Sequence, residues 1–408
     1  MLSVHSSPVG ELGTRDTGGM SVYIRELARQ LGRRGHGIDI YTRVDASSQR
    51  QIAELDENVR LIQLRAGENG HLHRLALYPH LADFFRELEE FRARRGLNYH
   101  LIHSHYWLSG RVGNWAQKQW KIPHIFMFHT VGAVKNNTAG SEKEPEIRMA
   151  TEKQLARQCD RILVATDNER DHLVQHYGAS PETIGVVPCG VNLDLFRPLN
   201  KVSARQELGF DQNESIVLFV GRFAPLKGID RLMQATARLK DHERLRLVIV
   251  GGDGQNTAEA KHLQRLSRRL GIQSLVNFVG RIPQDKLPPY YSAADLLVVP
   301  SYYESFGLVA LESLASGTPV IATNVGAMQS ILQDGRTGRV VNNGSATLLA
   351  ETIQSFISRS FPASADAIRA SVLRFGWENV ASAMIDEYAA VLRQYHFPTC
   401  CCGKVSSL

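Results

Sequence analysis

The sequence predicts an α/β architecture of two domains, each built on a mostly parallel sheet, that face each other across a linker. Short β-branched apolar runs alternate with longer amphipathic stretches along the chain, which is the pattern of βαβ units. The length of 408 residues accommodates two domains at roughly 100–200 residues each. The rhythm breaks around Val187–Asn200, where two prolines, a glycine and no helical period read as a linker.

In chain order, strand candidates in the first half are Leu2–His5, Ile38–Thr42, Val59–Leu64, Leu101–Ser104, His124–Phe128, Arg161–Ala165 and Ile184–Val187. Between them, Val22–Arg34, Ala76–Arg95 and Glu144–Cys159 repeat apolar side chains at helical spacing. Leu2–His5 opens at the initiator Met and reads either as a start placed too late or as a short edge strand. After the linker, strands are expected at Ile216–Val220, Arg246–Val250, Leu275–Val279, Leu296–Val299, Val320–Ala322 and Gly338–Val341. Helices are expected at Gly228–Leu239, Thr257–Leu270, Phe306–Ser316 and Ser345–Ile357, with a long terminal helix at Trp377–Arg393. The expected organisation is a first domain over 1–188, a second over 189–375, the terminal helix over 376–395 and a tail over 396–408. Ligands of such paired open sheets belong in the cleft, at the carboxyl ends of the strands.

Composition narrows the function. Apolar residues make up 43% and charged residues 22%, which argues against a disordered chain. Lys and Arg number 47 against 41 Asp and Glu, a net charge of +6. That excess is thin and spread over both halves, unlike the clustered stripe of a nucleic-acid binder, so small anions are the better candidate ligands. Twelve of the 15 histidines lie before residue 189. Five cysteines without a C-x-x-C pair argue against a zinc site and a disulfide scaffold, and for reduced thiols in the cytoplasm. Cys400, Cys401 and Cys402 read as part of a disordered end. No apolar run approaches 18 residues and no signal segment is evident.

The richest stretch is Ser301–Val320, SYYESFGLVALESLASGTPV. Glu304 is expected on the loop entering a helix, with Glu312 about two turns inside it. The amides of Phe306, Gly307 and Leu308 at the helix start favour an anion, commonly phosphate, and a carboxylate beside them can receive sugar hydroxyls. Taken alone, the pair also reads as a helix cap and a solvated glutamate. In FVGRFAPLKGID (219–230), Arg222 and Lys227 follow a strand end, where a guanidinium fork and a point charge can neutralise a diphosphate. Gly18 and Gly19 stand between the first strand and the first helix and allow close backbone approach to a ligand. Gly251-Gly252-Asp253-Gly254 lies at another strand end but does not supply G-x-G-x-x-G in the first βα turn, which weakens a dehydrogenase reading. HSHYWLSG (103–110) and FHTVGAVKN (128–136) both begin at strand ends, directing His105, Tyr106, His129 and Thr130 at the cleft. These histidines lack evident carboxylate or thiol partners, and the chain has no Asp-x-Asp, so no metal site is expected. Arg74 and Arg148, taken alone, read as solvated cations near helices.

Together these stretches resemble the retaining glycosyltransferases of family 4, whose GT-B fold consists of two facing Rossmann-like domains. The resemblance runs over nearly the whole chain and implies that the terminal helix crosses back to the first domain. It further implies that Arg222 and Lys227 bind the donor diphosphate, that Glu312 accepts ribose hydroxyls and that Glu304 contacts the transferred sugar. The amides of Phe306, Gly307 and Leu308 would complete the donor contacts, Gly18 and Gly19 would lie under the diphosphate, and Arg281 would flank a uracil base. His129 would contact the sugar near the reacting carbon, making His129, Glu304, Arg222 and Lys227 the catalytic set. The first-domain motifs are similar to those of the inositol-phosphate N-acetylglucosaminyltransferases of mycothiol synthesis and of sucrose-phosphate synthases. That similarity implies an acceptor-phosphate site of Arg74, Tyr106, Thr130 and Arg148, with Arg74 standing where the pattern usually has Lys.

The implied reaction moves a hexose or N-acetylhexosamine from a UDP-sugar, with retention, to a small phosphorylated polyol or sugar. No cofactor is required and magnesium is not essential; neither nucleic acid nor a membrane span is implied, and a homodimer is compatible. An envelope-polysaccharide glucosyl- or mannosyltransferase fits the donor half equally. Rivals of other classes are a UDP-sugar 2-epimerase, which needs no acceptor, and a non-catalytic nucleotide-sugar binder. With no carboxylate nucleophile evident across the cleft, same-face attack is the favoured route to retention. Arg148→Ala is expected to raise the acceptor KM and leave donor binding alone.

Overall fold

The computed structural model describes residues 1–10, 17–44, 51–68, 70, 72–138, 143–239, 244–252, 257–342, 344–358 and 363–395. The Cys400–Cys402 run, the tail over 396–408 and Asp253-Gly254 lie outside them.

The first half contains β1 (Ile38–Arg43), β2 (Ile52–Asp56), β3 (Val59–Leu64), β4 (Ile102–His105), β5 (His124–Met127), β6 (Arg161–Val164) and β7 (Ile184–Val186). They form a β1-β3-β2 set and a β4-β5-β6-β7 set. Leu2 joins the two: its amide donates to His103 O (2.8 Å), its carbonyl accepts from His105 N (3.0 Å), and Ser3 N donates to Tyr41 O (2.9 Å). The opening segment therefore lies between the two sets, which rules out the edge-strand alternative. Its apolar side chains require that place, since Leu2 and Val4 are buried.

The second half contains β8 (Ser215–Val220), β9 (Leu245–Val250), β10 (Val276–Gly280), β11 (Leu296–Val299), β12 (Val320–Thr323) and β13 (Gly338–Val341). Their order is β10-β9-β8-β11-β12-β13 and every pairing is parallel. β11 and β12 are buried at every residue, as their continuous apolar runs require of a sheet covered on both faces.

Two elements depart from the sequence reading. β2 is absent from the sequence reading and pairs antiparallel to β3, so the first sheet is mixed; none of its residues is buried, and the apolar signal is correspondingly weak. The single helix expected over Ala76–Arg95 is three pieces, Arg74–Leu77, a 3-10 turn Tyr78–His80 and Leu81–Arg94. Pro79 lacks the N–H that would continue the first helix, so a new turn starts there.

Strand order reverses between β8 and β11, whose neighbours β9 and β12 run outward on opposite sides. A crevice opens at such a switch point, and the loops after β8 and β11 are those that carry Arg222, Lys227 and Glu304. One apolar cluster spans both halves, joining Tyr23, Leu27 and Leu163 to Leu218, Leu311 and Leu314, with Val187, Val191 and Phe196 of the linker inside it. Gly190 permits this, because a β-carbon there would lie 2.5 Å from the Trp377 ring. The terminal helix Trp377–Gln394 lies on the first half. There Tyr388 OH meets His103 Nδ1 (2.7 Å), Arg161 Nε meets Glu387 (2.6 Å), and Trp377 packs edge-on against Tyr23 at 5.4 Å. Among the described residues no helix is long and apolar enough to cross a membrane.

Candidate active site

The second-half wall is assembled by two loops that hold each other. After β8 the chain makes a 3-10 turn, Pro225–Lys227, closed by Gly228 in the left-handed region (φ 67°). A β-carbon on Gly228 would collide with the Pro300 carbonyl, and Tyr302 N donates to Leu226 O at 2.8 Å, so this loop is pinned to the end of β11. The pinning delivers Lys227 Nζ to Glu304 Oε2 at 2.5 Å. The following helix is Leu308–Ala315, preceded by Gly307 at φ 108°. The helix therefore starts two residues later than Phe306, and Glu312 lies about one turn inside it, not two. Phe306 is a core residue, 6.3 Å from the Phe375 ring. Arg281 is exposed just past β10.

Glu312 is buried, accepting from Tyr291 OH (2.7 Å) and Gln284 Nε2 (3.0 Å). Burial pushes its carboxyl up to about 7 against the pull of those two bonds. A carboxyl with a raised folded value binds its proton more tightly when folded, so its contribution to stability is present at low pH and is lost as pH rises through 7. Glu312→Gln should match the wild type in thermal midpoint at pH 4, below the unfolded value of 4.5. By pH 8 it should be the more stable protein, by up to about 3 kcal/mol, as read by thermal unfolding across that range. A group that destabilises its own fold in this way is characteristic of a binding site.

The first-half wall approaches closely. Gly18 caps and Gly19 begins the helix Gly19–Arg33. A β-carbon on Gly19 would lie 3.3 Å from Leu308 Cδ1, and one on Gly18 would lie 3.9 Å from Arg222 Nε. Two helix N-termini, neither with an acidic residue in its first turn, thus converge beside Arg222. Tyr303 and Ser305, flanking Glu304, bridge the cleft: Val131 N donates to Tyr303 OH (3.1 Å) and Ser305 Oγ donates to His129 O.

His129 and Tyr106 are non-glycine residues with positive φ, 59° and 74°, a conformation sustained where the surroundings impose it and frequent at functional sites. His129 Nε2 lies 2.9 Å from His105 Nδ1. Burial pushes His129 down to about 3 and holds His103 and His105 well below the usual range, so these rings are neutral. Among the described residues no group of three or more His, Cys, Asp or Glu is placed to hold a metal.

Within the first half four residues converge from four separate segments. Arg74 Nη1 and Arg148 Nη1 both donate to Tyr106 OH, at 3.1 and 3.0 Å. Arg148 Nη2 donates to Thr130 Oγ1 and to Thr130 O, each at 2.9 Å. Arg148 is not the solvated cation its position alone suggests: it is fully buried, paired with Glu152 at 2.6 Å and Glu144 at 2.9 Å. Lys135 pairs with Glu144.

Two family models cover the two halves: Glycosyltransferase Family 4 matches residues 17–195, and Glycosyl transferases group 1 matches residues 200–371. A D-inositol 3-phosphate glycosyltransferase of Rhodococcus jostii is 40% identical, over 97% of this chain and 90% of its own. D-inositol 3-phosphate glycosyltransferase 2 of Catenulispora acidiphila is 39% identical, over 99% of this chain and 98% of its own. The chain is a family 4 glycosyltransferase. Sucrose-phosphate synthase from Thermosynechococcus elongatus superposes on the transferase with a TM-score of 0.90, at 34% identity, covering 97% and 98% of the two chains. The transferase has the GT-B fold.

The structure of the transferase also shows residues that the sequence reading passed over. Lys135 lay in view within FHTVGAVKN, but nothing marked it as a partner of Glu144. Tyr303 and Ser305 stood in the motif without a sign that they reach across the cleft. Gln284 ties Glu312 to the first half, because Arg25 Nη2 donates to its Oε1 at 3.0 Å.

Proposed function

We propose that this transferase moves a hexose or N-acetylhexosamine from a UDP-sugar, with retention, to a hydroxyl of a small phosphorylated acceptor, inositol 3-phosphate first among them. The observation that carries this reading is a pair of anion sites. Arg222, Lys227 and the helix N-terminus at Leu308 in the second half meet the helix N-terminus at Gly19 in the first, and Arg74, Tyr106, Thr130 and Arg148 form a separate cluster in the first half. The names of the D-inositol 3-phosphate glycosyltransferases support the acceptor. Fructose 6-phosphate is the second reading, favoured by the likeness to sucrose-phosphate synthase.

In this reading Arg222, Lys227 and the helix-start amides of Gly19, Gly307 and Leu308 meet the negative charge that grows on the departing diphosphate. Such preorganised donors are usually the largest catalytic contribution, and with them in place no metal is required. Arg281 flanks the base and Glu312 takes the ribose hydroxyls. Glu304, oriented by Lys227, holds the transferred sugar while His129 sits by the reacting carbon. Neither glutamate is free to act as a nucleophile, since Glu304 is held in its ion pair and Glu312 under two hydrogen bonds. The acceptor hydroxyl attacks on the face the diphosphate leaves, and a departing phosphate oxygen takes its proton. Tyr303 and Ser305 hold the cleft closed against water. Proton NMR of the product from a UDP-α-sugar and inositol 3-phosphate tests the stereochemistry. An α-linked product is expected, and a β-linked product would overturn same-face attack.

A further inference from the structure

We propose that Glu144 is a built-in competitor of the acceptor's phosphate: its carboxylate fills the anion position of the Arg74–Lys135–Arg148 cluster, and a phosphorylated acceptor binds by displacing it. This rests on the reading of that cluster as the acceptor-phosphate site.

Two carboxylates touch Arg148, and they differ in kind. Glu152 is 1% exposed, lies 2.6 Å from Arg148 Nε, and also accepts from Gly132 N (3.0 Å) and Tyr177 OH. It is fixed on three sides and serves as the permanent counter-ion. Among the described residues the Glu144 carboxylate contacts only cations, Lys135 Nζ and Arg148 Nη1 at 2.9 Å, and its side chain is 11% exposed. It precedes the helix Glu146–Gln158, outside the hydrogen-bonded turns. Its backbone is clamped separately by the Asn136 amide: Glu144 N donates to Asn136 Oδ1 (2.6 Å), and Asn136 Nδ2 donates to Glu144 O (3.3 Å). The side chain can therefore swing out while the chain stays in place.

The charges make the exchange balanced. Arg74, Lys135 and Arg148 carry three positive charges, and Glu144 and Glu152 two negative. With Glu144 seated the cluster is +1; with Glu144 displaced it is +2, the complement of a phosphate dianion. A phosphate also brings three acceptor oxygens to donors that share one carboxylate, and charge-assisted bonds of this kind are the strong ones. An unphosphorylated polyol offers no anion to trade for Glu144, so the carboxylate screens acceptors by charge.

The test uses the full chain with Glu144→Gln and Glu144→Asp, and thermal unfolding to confirm that each variant folds. In Glu144→Gln the KM for inositol 3-phosphate is expected to fall about ten-fold. The inhibition constant of inorganic phosphate, competing with the acceptor, should fall by the same factor. The KM values for the UDP-sugar and for unphosphorylated inositol should stay put. Glu144→Asp keeps the charge on a shorter stem and should fall between. A rise in both phosphate readouts, as expected if Glu144 merely holds Lys135 and Arg148 in position, overturns the proposal, and so does no change. Arg74→Ala separates the two claims. If it raises both phosphate readouts while Glu144→Gln leaves them unmoved, the site stands and the competitor role falls. If Arg74→Ala leaves them unmoved, the cluster is not the phosphate site.

Discussion

Lys227→Ala is expected to lower turnover by about ten- to a hundred-fold while the protein remains folded. Lys227 belongs to a 3-10 turn at the mouth of the cleft and is partly exposed, so its removal opens no core cavity. It does remove a charge-assisted bond to the leaving diphosphate, worth roughly 1.5–3 kcal/mol, at about ten-fold in rate per 1.4 kcal/mol. It also frees the Glu304 carboxylate that Lys227 holds at 2.5 Å, so the transferred sugar loses its orientation at the same moment. Steady-state kinetics with saturating donor, beside a thermal midpoint close to wild type, checks this. Normal turnover would remove Lys227 from the catalytic set.

Arg148→Ala is expected to do more than impair acceptor binding. Arg148 is fully buried and satisfies Glu144, Glu152, Tyr106 and Thr130 together. Removing one partner of a buried ion pair typically costs about 3–5 kcal/mol, because the other charge is left uncompensated. For a domain of this size that corresponds to a fall in thermal midpoint of about 10 °C, measurable by calorimetry. This loss of stability is expected beside the rise in acceptor KM. Arg74 is half-buried and donates to Tyr106 OH, so Arg74→Ala is the substitution that reports binding without collapse.

The difference between the two arginines shows what was legible in the chain and what was not. Strand runs such as Leu296–Val299 announce themselves because parallel strands are covered on both faces, and the second sheet was readable throughout. The positions of Glu304, Lys227 and Arg222 on strand-end loops were readable because the strands before them were. Glu312 was readable as a residue but misplaced by a turn. Gly307 takes a left-handed conformation that delays the helix, and no periodicity reports it. Arg148 and Glu152 lie within a helix whose pattern is weakly amphipathic, so burial of a charged face there emerges only from packing against Tyr106 and Thr130. Tyr303 and Ser305 act across the cleft, a relation that exists only when the two halves meet.

The central claim is that the second anion site receives the acceptor's phosphate during glycosyl transfer from a UDP-sugar. It is tested most directly by initial rates of UDP release from UDP-GlcNAc and UDP-glucose, with inositol 3-phosphate against inositol and fructose 6-phosphate against fructose. The account predicts release that depends on the acceptor and a kcat/KM for a phosphorylated member at least a hundred-fold above its unphosphorylated partner, about two charged hydrogen bonds' worth. Equal rates with and without the phosphate would contradict it.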